Sequence, residues 1–252
     1  MSGRYRHVVE GHAAQLAQRP ALRALYKHYA LRIRTHLSKQ EGVHVELGSG
    51  SQALSEHLPE LMRTDVDAHP GIDEIVNACA MPFPEGSCAN LVAVDMLHHL
   101  PEPGSFFDEV QRVLTPGGRC ILLEPHISAG SYPLYKFVHP EPLDLRADPF
   151  SPVTLQEPSG GPCNEAIATL AFGRHQRRFL NRWPLLDVHQ PEFSDLMVYV
   201  LTGGYSYPSL MPASWVQHLM KLEDRLLKYT GRWVGLRILV VLEKRPSPRK
   251  VR

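Results

Sequence analysis

Val43-His44-Val45-Glu46-Leu47-Gly48-Ser49-Gly50 is a short β-rich run that ends in glycines, and the stretch after it, Ser51 to Leu61, has helical spacing. Such a change of period at a glycine pair reads as a strand that turns into a helix. Glycines at that turn let the backbone fold tightly and bring its N–H groups against a ligand at the carboxyl edge of an open sheet. The spacing departs from the dinucleotide fingerprint, since Ala53 stands where a third glycine would. That disfavours a nicotinamide or flavin enzyme without excluding one.

The same alternation continues downstream. Leu61 to Val66 reads as a second strand ending in acidic residues, the surroundings of Ile75 and Val76 as a third, and Leu91 to Met96 as a fourth. Ser105 to Leu114 has Phe106, Val110, Val113 and Leu114 at helical spacing, and Pro116-Gly117-Gly118 stops it before a fifth strand, Arg119 to Glu124. Strands alternating with helices imply a doubly wound, Rossmann-like, mostly parallel α/β sheet. Upstream, Ala13 to Leu37 reads as helices broken at Pro20; downstream, Leu236 to Lys244 reads as a last, antiparallel strand after a helix from Ala213. One domain is expected over 1–252: N-terminal helices in 1–40, a cofactor-binding half in 41–126, an insertion or lid with the substrate region in 127–211, a helix and strand in 212–245, and a flexible basic tail in 246–252.

The formal charge of +1 argues against a nucleic-acid partner, whose phosphates call for a basic surface. Cys79, Cys88, Cys120 and Cys163 show no CxxC spacing, so reduced thiols in a cytoplasmic protein are expected. The start, MSGRYRHVVEGHAAQ, lacks the apolar stretch of a secretory signal, and no window reaches the ~18 apolar residues of a membrane span.

Five segments taken together, VHVELGSGS, RTDVDAHPG, IVNACAMPFPEGS, LVAVDMLHHLPEP and EVQRVLTPGGRCILLEP, resemble in order and spacing the motifs of class I S-adenosylmethionine-dependent methyltransferases of the type 11 kind. The resemblance covers about residues 41–126. It implies S-adenosyl-L-methionine as cofactor and S-adenosyl-L-homocysteine as product. By it, Glu46 faces the methionine end, Gly48, Ser49 and Gly50 pass beneath the cofactor, and Asp65 with Val66 holds the ribose. Asn77 and Ala78 lie beside the adenine, and Asp95, Met96 and His98 wall the site near the methyl group. Asp67 remains an alternative to Asp65, and both also read as turn residues before His69-Pro70-Gly71. Asn77 stands where the family usually has Asp, and Ala89-Asn90 where it has Phe-Asp. FVHPEPLD and TGGYSYPSLMP add a faint likeness to bacterial methyltransferases, which names no substrate.

Methyl transfer from a sulfonium is an in-line displacement in a dry site, and an oxygen acceptor must also lose a proton. His98, His99, His126 and His139 are the candidate bases; His126, just past the fifth strand, is preferred, with His99 second. Asp144 and Asp148 show no metal-ligand spacing, so no metal is expected. The acceptor pocket is expected from Tyr132 and Tyr135, with Phe137 and Phe150, in the insertion, and from Tyr205 and Tyr207 beside Gly203-Gly204. The expected reaction is O-methylation of a small molecule in specialised metabolism. A non-catalytic cofactor-binding partner protein, and a methyltransferase acting on RNA or protein, are the alternatives.

Overall fold

In the computed structural model, residues 3–158, 160–205 and 207–246 are described, residues 3–8 by their backbone alone. The tail expected to be flexible falls outside them from residue 247. Two N-terminal helices, α1 (Gly3–Gln18) and α2 (Pro20–His36), meet at the predicted break, with Pro20 opening α2 where a missing N–H costs nothing. Then follow β1 (Val43–Leu47), β2 (Met62–Asp65), β3 (Glu74–Ile75), β4 (Cys88–Val94), α3 (Pro103–Val113) and β5 (Leu114–Pro125). Short helices α4 (Tyr132–Phe137), α5 (Ile167–Thr169) and α6 (Gln176–Arg182) precede β6 (Leu186–Val188) and β7 (Glu192–Ser194). The chain ends in α7 (Met197–Thr202), α8 (Ala213–Val234) and β8 (Arg237–Lys244).

The strands form one sheet in the order β3-β2-β1-β4-β5-β8-β6, with β7 also paired to β8. The first five run parallel, and β8 is antiparallel to β5, β6 and β7. This is the mostly parallel, Rossmann-like sheet that the alternation predicts, and the expected last strand is antiparallel. β1 and β4 are neighbours, so the chain reverses its direction of travel through the sheet there. Ligands of open α/β sheets settle at such a switch point, outside the carboxyl ends of the strands.

Side chains alternate between two buried layers, as the strand period of two requires. Leu91, Ala93, Cys120, Leu122, Val240 and Leu242 face one layer, and Val92, Ile121, Leu123, Leu239 and Val241 the other. The second layer is closed by Leu22, Leu25, Tyr29 and Ile33 of α2 and by Val216 and Met220 of α8. The first is an aromatic cluster around Phe107 of α3, whose ring stands edge-on to Phe150, Phe172 and Phe179 at 6.4, 5.9 and 5.0 Å.

Three local expectations need correction. Residues 51–57 form consecutive turns instead of a helix: Gln52 sits at φ 58°, outside the right-handed helical region, and the N–H groups of Gln52, Ser55 and His57 bond three residues back. The fifth strand begins at Leu114 rather than after the Pro116-Gly117-Gly118 stop. Phe150 of the insertion does not line a lid but, with Phe172, fills the core beneath α3.

Candidate functional site

The loop after β1 is built from backbone. Gly48 and Gly50 take φ of 68° and 42°, in the left-handed region. A Cβ on Gly48 would stand 2.8 Å from Met96 Cγ, so a glycine is needed where the loops after β1 and β4 meet. The Ser49 N–H donates to the carbonyl of Thr64 (2.8 Å), tying the loop to β2. Asp65, buried at the end of β2, accepts from the N–H of Gly50 (2.9 Å) and of Val66 (2.7 Å), and His69 Nε2 lies 3.1 Å from its Oδ2. Of the two acidic candidates, Asp65 is therefore the one joined to the glycine loop. Glu46 is also buried, and burial pushes its carboxyl up to about 8 despite the hydroxyl of Ser49 beside it.

At the next strand end, Asp95 also takes a positive φ, 54°, and its N–H donates to Leu123 O. Its carboxylate pairs at 2.5 Å with the guanidinium of Arg237, which is fully enclosed between the rings of Tyr29 and Tyr199. Tyr29 in turn donates to Asp195 (2.7 Å), 3.9 Å from the same arginine. Burial opposes the arginine's charge, but Asp95 and the surrounding tyrosines hold its pKa well above the ordinary value. Sequence reading missed Arg237, Tyr29 and Tyr199. The one available signal was an arginine directly before the aliphatic run Ile238 to Leu242.

Glu124, at the end of β5 and wholly buried, organises the turn that follows β4. Its Oε1 accepts from the N–H groups of Met96 (2.9 Å) and Leu97 (2.8 Å), and its Oε2 lies 2.6 Å from His98 Nδ1. Burial works against the His98 imidazolium, yet the Glu124 carboxylate raises its pKa well above the usual range. His99 is pushed the other way, by burial and then by the charge of His98.

The remaining candidates separate into those the fold brings to this edge and those it does not. Tyr205 comes to it: its hydroxyl lies 2.6 Å from Ser51 Oγ, its ring stacks on His12 of α1 (4.4 Å), and Tyr26 of α2 lies at 6.0 Å. Tyr135 is buried with its hydroxyl donating to Leu236 O (2.8 Å). Tyr132 and Tyr207 are exposed. His126, the residue after β5, is engaged by its neighbours: Nε2 lies 3.2 Å from Arg232 O, Nδ1 3.4 Å from the Thr169 hydroxyl, and the ring packs on Phe193. Asn77 is exposed and its Oδ1 caps a turn by accepting the Cys79 N–H (2.9 Å), while Ala78 is buried beside it. Asn90 accepts the Ser38 N–H (2.7 Å) and donates to Ser38 O and His44 Nδ1, fastening the segment between α2 and β1 to the sheet.

Residues 45–122 match the sequence pattern described as a methyltransferase domain. No curated protein shows significant sequence similarity to the chain. Among solved structures, the chain is similar to one from the complex of the Haloferax volcanii Trm112 methyltransferase activator with a methyltransferase. They share 14% identity at a TM-score of 0.53, over 96% of this chain and 98% of that one. It is also similar to a SAM-dependent methyltransferase from Archaeoglobus fulgidus, at 12% identity and a TM-score of 0.50, over 88% of this chain and 94% of that one. These likenesses establish the fold. No helix among the described residues is long and apolar enough to cross a membrane.

Proposed function

We propose, from the premise that residues 45–122 make this chain a class I S-adenosylmethionine-dependent methyltransferase, that it acts as a single cytoplasmic domain to O-methylate a small molecule of specialised metabolism. S-adenosylmethionine supplies the methyl group as a sulfonium and leaves as S-adenosylhomocysteine. The glycine loop would pass beneath it, with Glu46 toward the methionine end, Asp65 with Val66 at the ribose, and Asn77 and Ala78 beside the adenine. Asp95 and Met96, positioned by Arg237 and Glu124, would wall the methyl group.

The observation that carries the small-molecule reading is the contact of Tyr205 with Ser51. Through it the segment before α8 closes on the glycine loop, while α1 and α2 bring His12 and Tyr26 against the same ring. An acceptor reaching the sulfonium would enter an aromatic, water-excluding enclosure suited to a flat or lipid-like molecule. His126 is engaged on both ring nitrogens, and His98 and His99 belong to a carboxylate-bound group. The geometry therefore favours acceptors that lose their proton readily, carboxylic acids and acidic phenols. Such groups need positioning more than a base.

The test is incubation with methyl-labelled cofactor and a panel of phenols, carboxylic acids, sugars, acyl carriers, RNA and protein extract. Label is expected in a phenol or carboxylic acid. Label in RNA or protein alone rejects the reading, as does cofactor binding without any transfer. Tyr205→Phe and Tyr205→Ala are expected to keep cofactor affinity within about threefold while lowering turnover, the alanine more. Unchanged turnover in both would remove Tyr205 from the acceptor site.

A further inference from the structure

Outside the cofactor loop the fold assembles a second set of reactive side chains from distant segments. His98 and His99 come from the turn after β4, Glu141 and Cys163 from the insertion. Their ligand atoms all lie within 4.8 Å of one another. Glu141 Oε2 is 3.4 Å from His98 Nε2, 3.8 Å from His99 Nε2 and 3.6 Å from Cys163 Sγ. A tetrahedral zinc ion with Zn–N and Zn–O near 2.0 Å and Zn–S near 2.3 Å sets its ligands about 3.3–3.6 Å apart. The three contacts therefore approximate three edges of such a tetrahedron around one carboxylate oxygen.

Two further observations point to a cation. His98 turns its Nδ1 to the buried Glu124 carboxylate, 2.6 Å away, and presents Nε2 to the cluster. That is the arrangement in which an outer carboxylate fixes a metal-binding imidazole. Behind Glu141 stands Glu165, 1% exposed, whose Oε1 meets His139 Nδ1 at 2.9 Å. Its Oε2 is buried without a hydrogen-bond partner. Three carboxylates, those of Glu124, Glu141 and Glu165, thus converge on a region where their ion pairs, among the described residues, are all to histidines.

We infer that His98 Nε2, His99 Nε2, Glu141 Oε2 and Cys163 Sγ bind one zinc ion, which fastens the insertion to the carboxyl edge of the sheet. Imidazole with thiolate selects zinc over the oxygen-seeking magnesium and calcium. Four protein ligands make a closed, structural site, in which both imidazoles bind as neutral rings and the Cys163 thiol gives up its proton to solvent. The inference does not depend on the methyl-transfer reading.

The experiment is metal analysis of the full chain, followed by zinc titration against a chromophoric chelator and by cobalt substitution. About one zinc per chain is expected. Cobalt should give a tetrahedral visible spectrum with a near-ultraviolet thiolate-to-cobalt band. Cys163→Ser should lose that band and bind zinc at least tenfold more weakly; His99→Gln should also bind at least tenfold more weakly, and Cys79→Ser should match the parent. Circular dichroism establishes that each variant is folded. If Cys163→Ser fails to fold, the parent and Cys79→Ser spectra still decide. A parent without stoichiometric zinc, a cobalt spectrum lacking the thiolate band, or a band lost on Cys79→Ser would overturn the site.

Discussion

Glu46, proposed to face the methionine end of the cofactor, is a buried carboxyl whose protonation can be followed. Burial raises its carboxyl to about 8, so in the free protein it carries a proton at neutral pH. Between its ordinary value near 4.5 and about 8, the folded chain holds a proton that the unfolded chain has lost. The contribution of this group to stability therefore falls as pH rises through that window. A cofactor ammonium placed beside Glu46 favours the carboxylate, so binding should expel the proton. Calorimetry near pH 6.5 in buffers of different ionisation enthalpy is expected to report about one proton released, with affinity rising up to roughly tenfold per pH unit below about pH 7. Glu46→Gln should abolish both effects; an unchanged proton count in that variant would take Glu46 out of the methionine subsite.

At the scale of the element, the glycine loop owes its shape to close approach rather than to a helix behind it. Gly48 abuts Met96, and Gly50 donates its N–H to Asp65. Gly48→Val is expected to drive the loop off Met96 and abolish cofactor binding. Asp65→Ala should weaken binding by about 1–3 kcal/mol, the scale of hydrogen bonds to a charged group. Both are measured by titration calorimetry on folded variants, and parent-like affinity in the pair would dissociate this loop from the cofactor. The glycines and Asp65 were legible because they are neighbours along the chain and at adjacent strand ends. The turns at 51–57 were not, because Leu54, Leu58 and Leu61 bury their side chains at helical spacing although Gln52 prevents the helix. Apolar period reports burial, and a single left-handed residue decides the backbone.

On the scale of the molecule, the last strand of the chain is not at the edge of the sheet but inside it, between β5 and β6. Ile238, Leu239, Val240, Val241 and Leu242 are all buried in it. At ~2 kcal/mol each they contribute on the order of 10 kcal/mol, comparable with the ~5–15 kcal/mol stability of a whole domain. A chain ending at Gly235 should therefore lack a cooperative thermal transition and near-ultraviolet dichroism, even though it keeps all of residues 45–122. Cooperative unfolding of that truncated chain would show that β8 is dispensable.

The sequence by itself determined the parallel sheet, the presence of the last strand, the N-terminal helices and the methyltransferase pattern. Each rests on local periodicity, turn residues or motif order within a few tens of residues. Only the tertiary structure decided that Phe150 and Phe172 are core, that His126 is tied to Arg232 and Thr169, and that Arg237 closes on Asp95 from 142 residues away. The grouping of His98, His99, Glu141 and Cys163 is of the same kind. Its members are separated by an irregular insertion that has no period to read, and their convergence is set by how that insertion packs against the sheet edge.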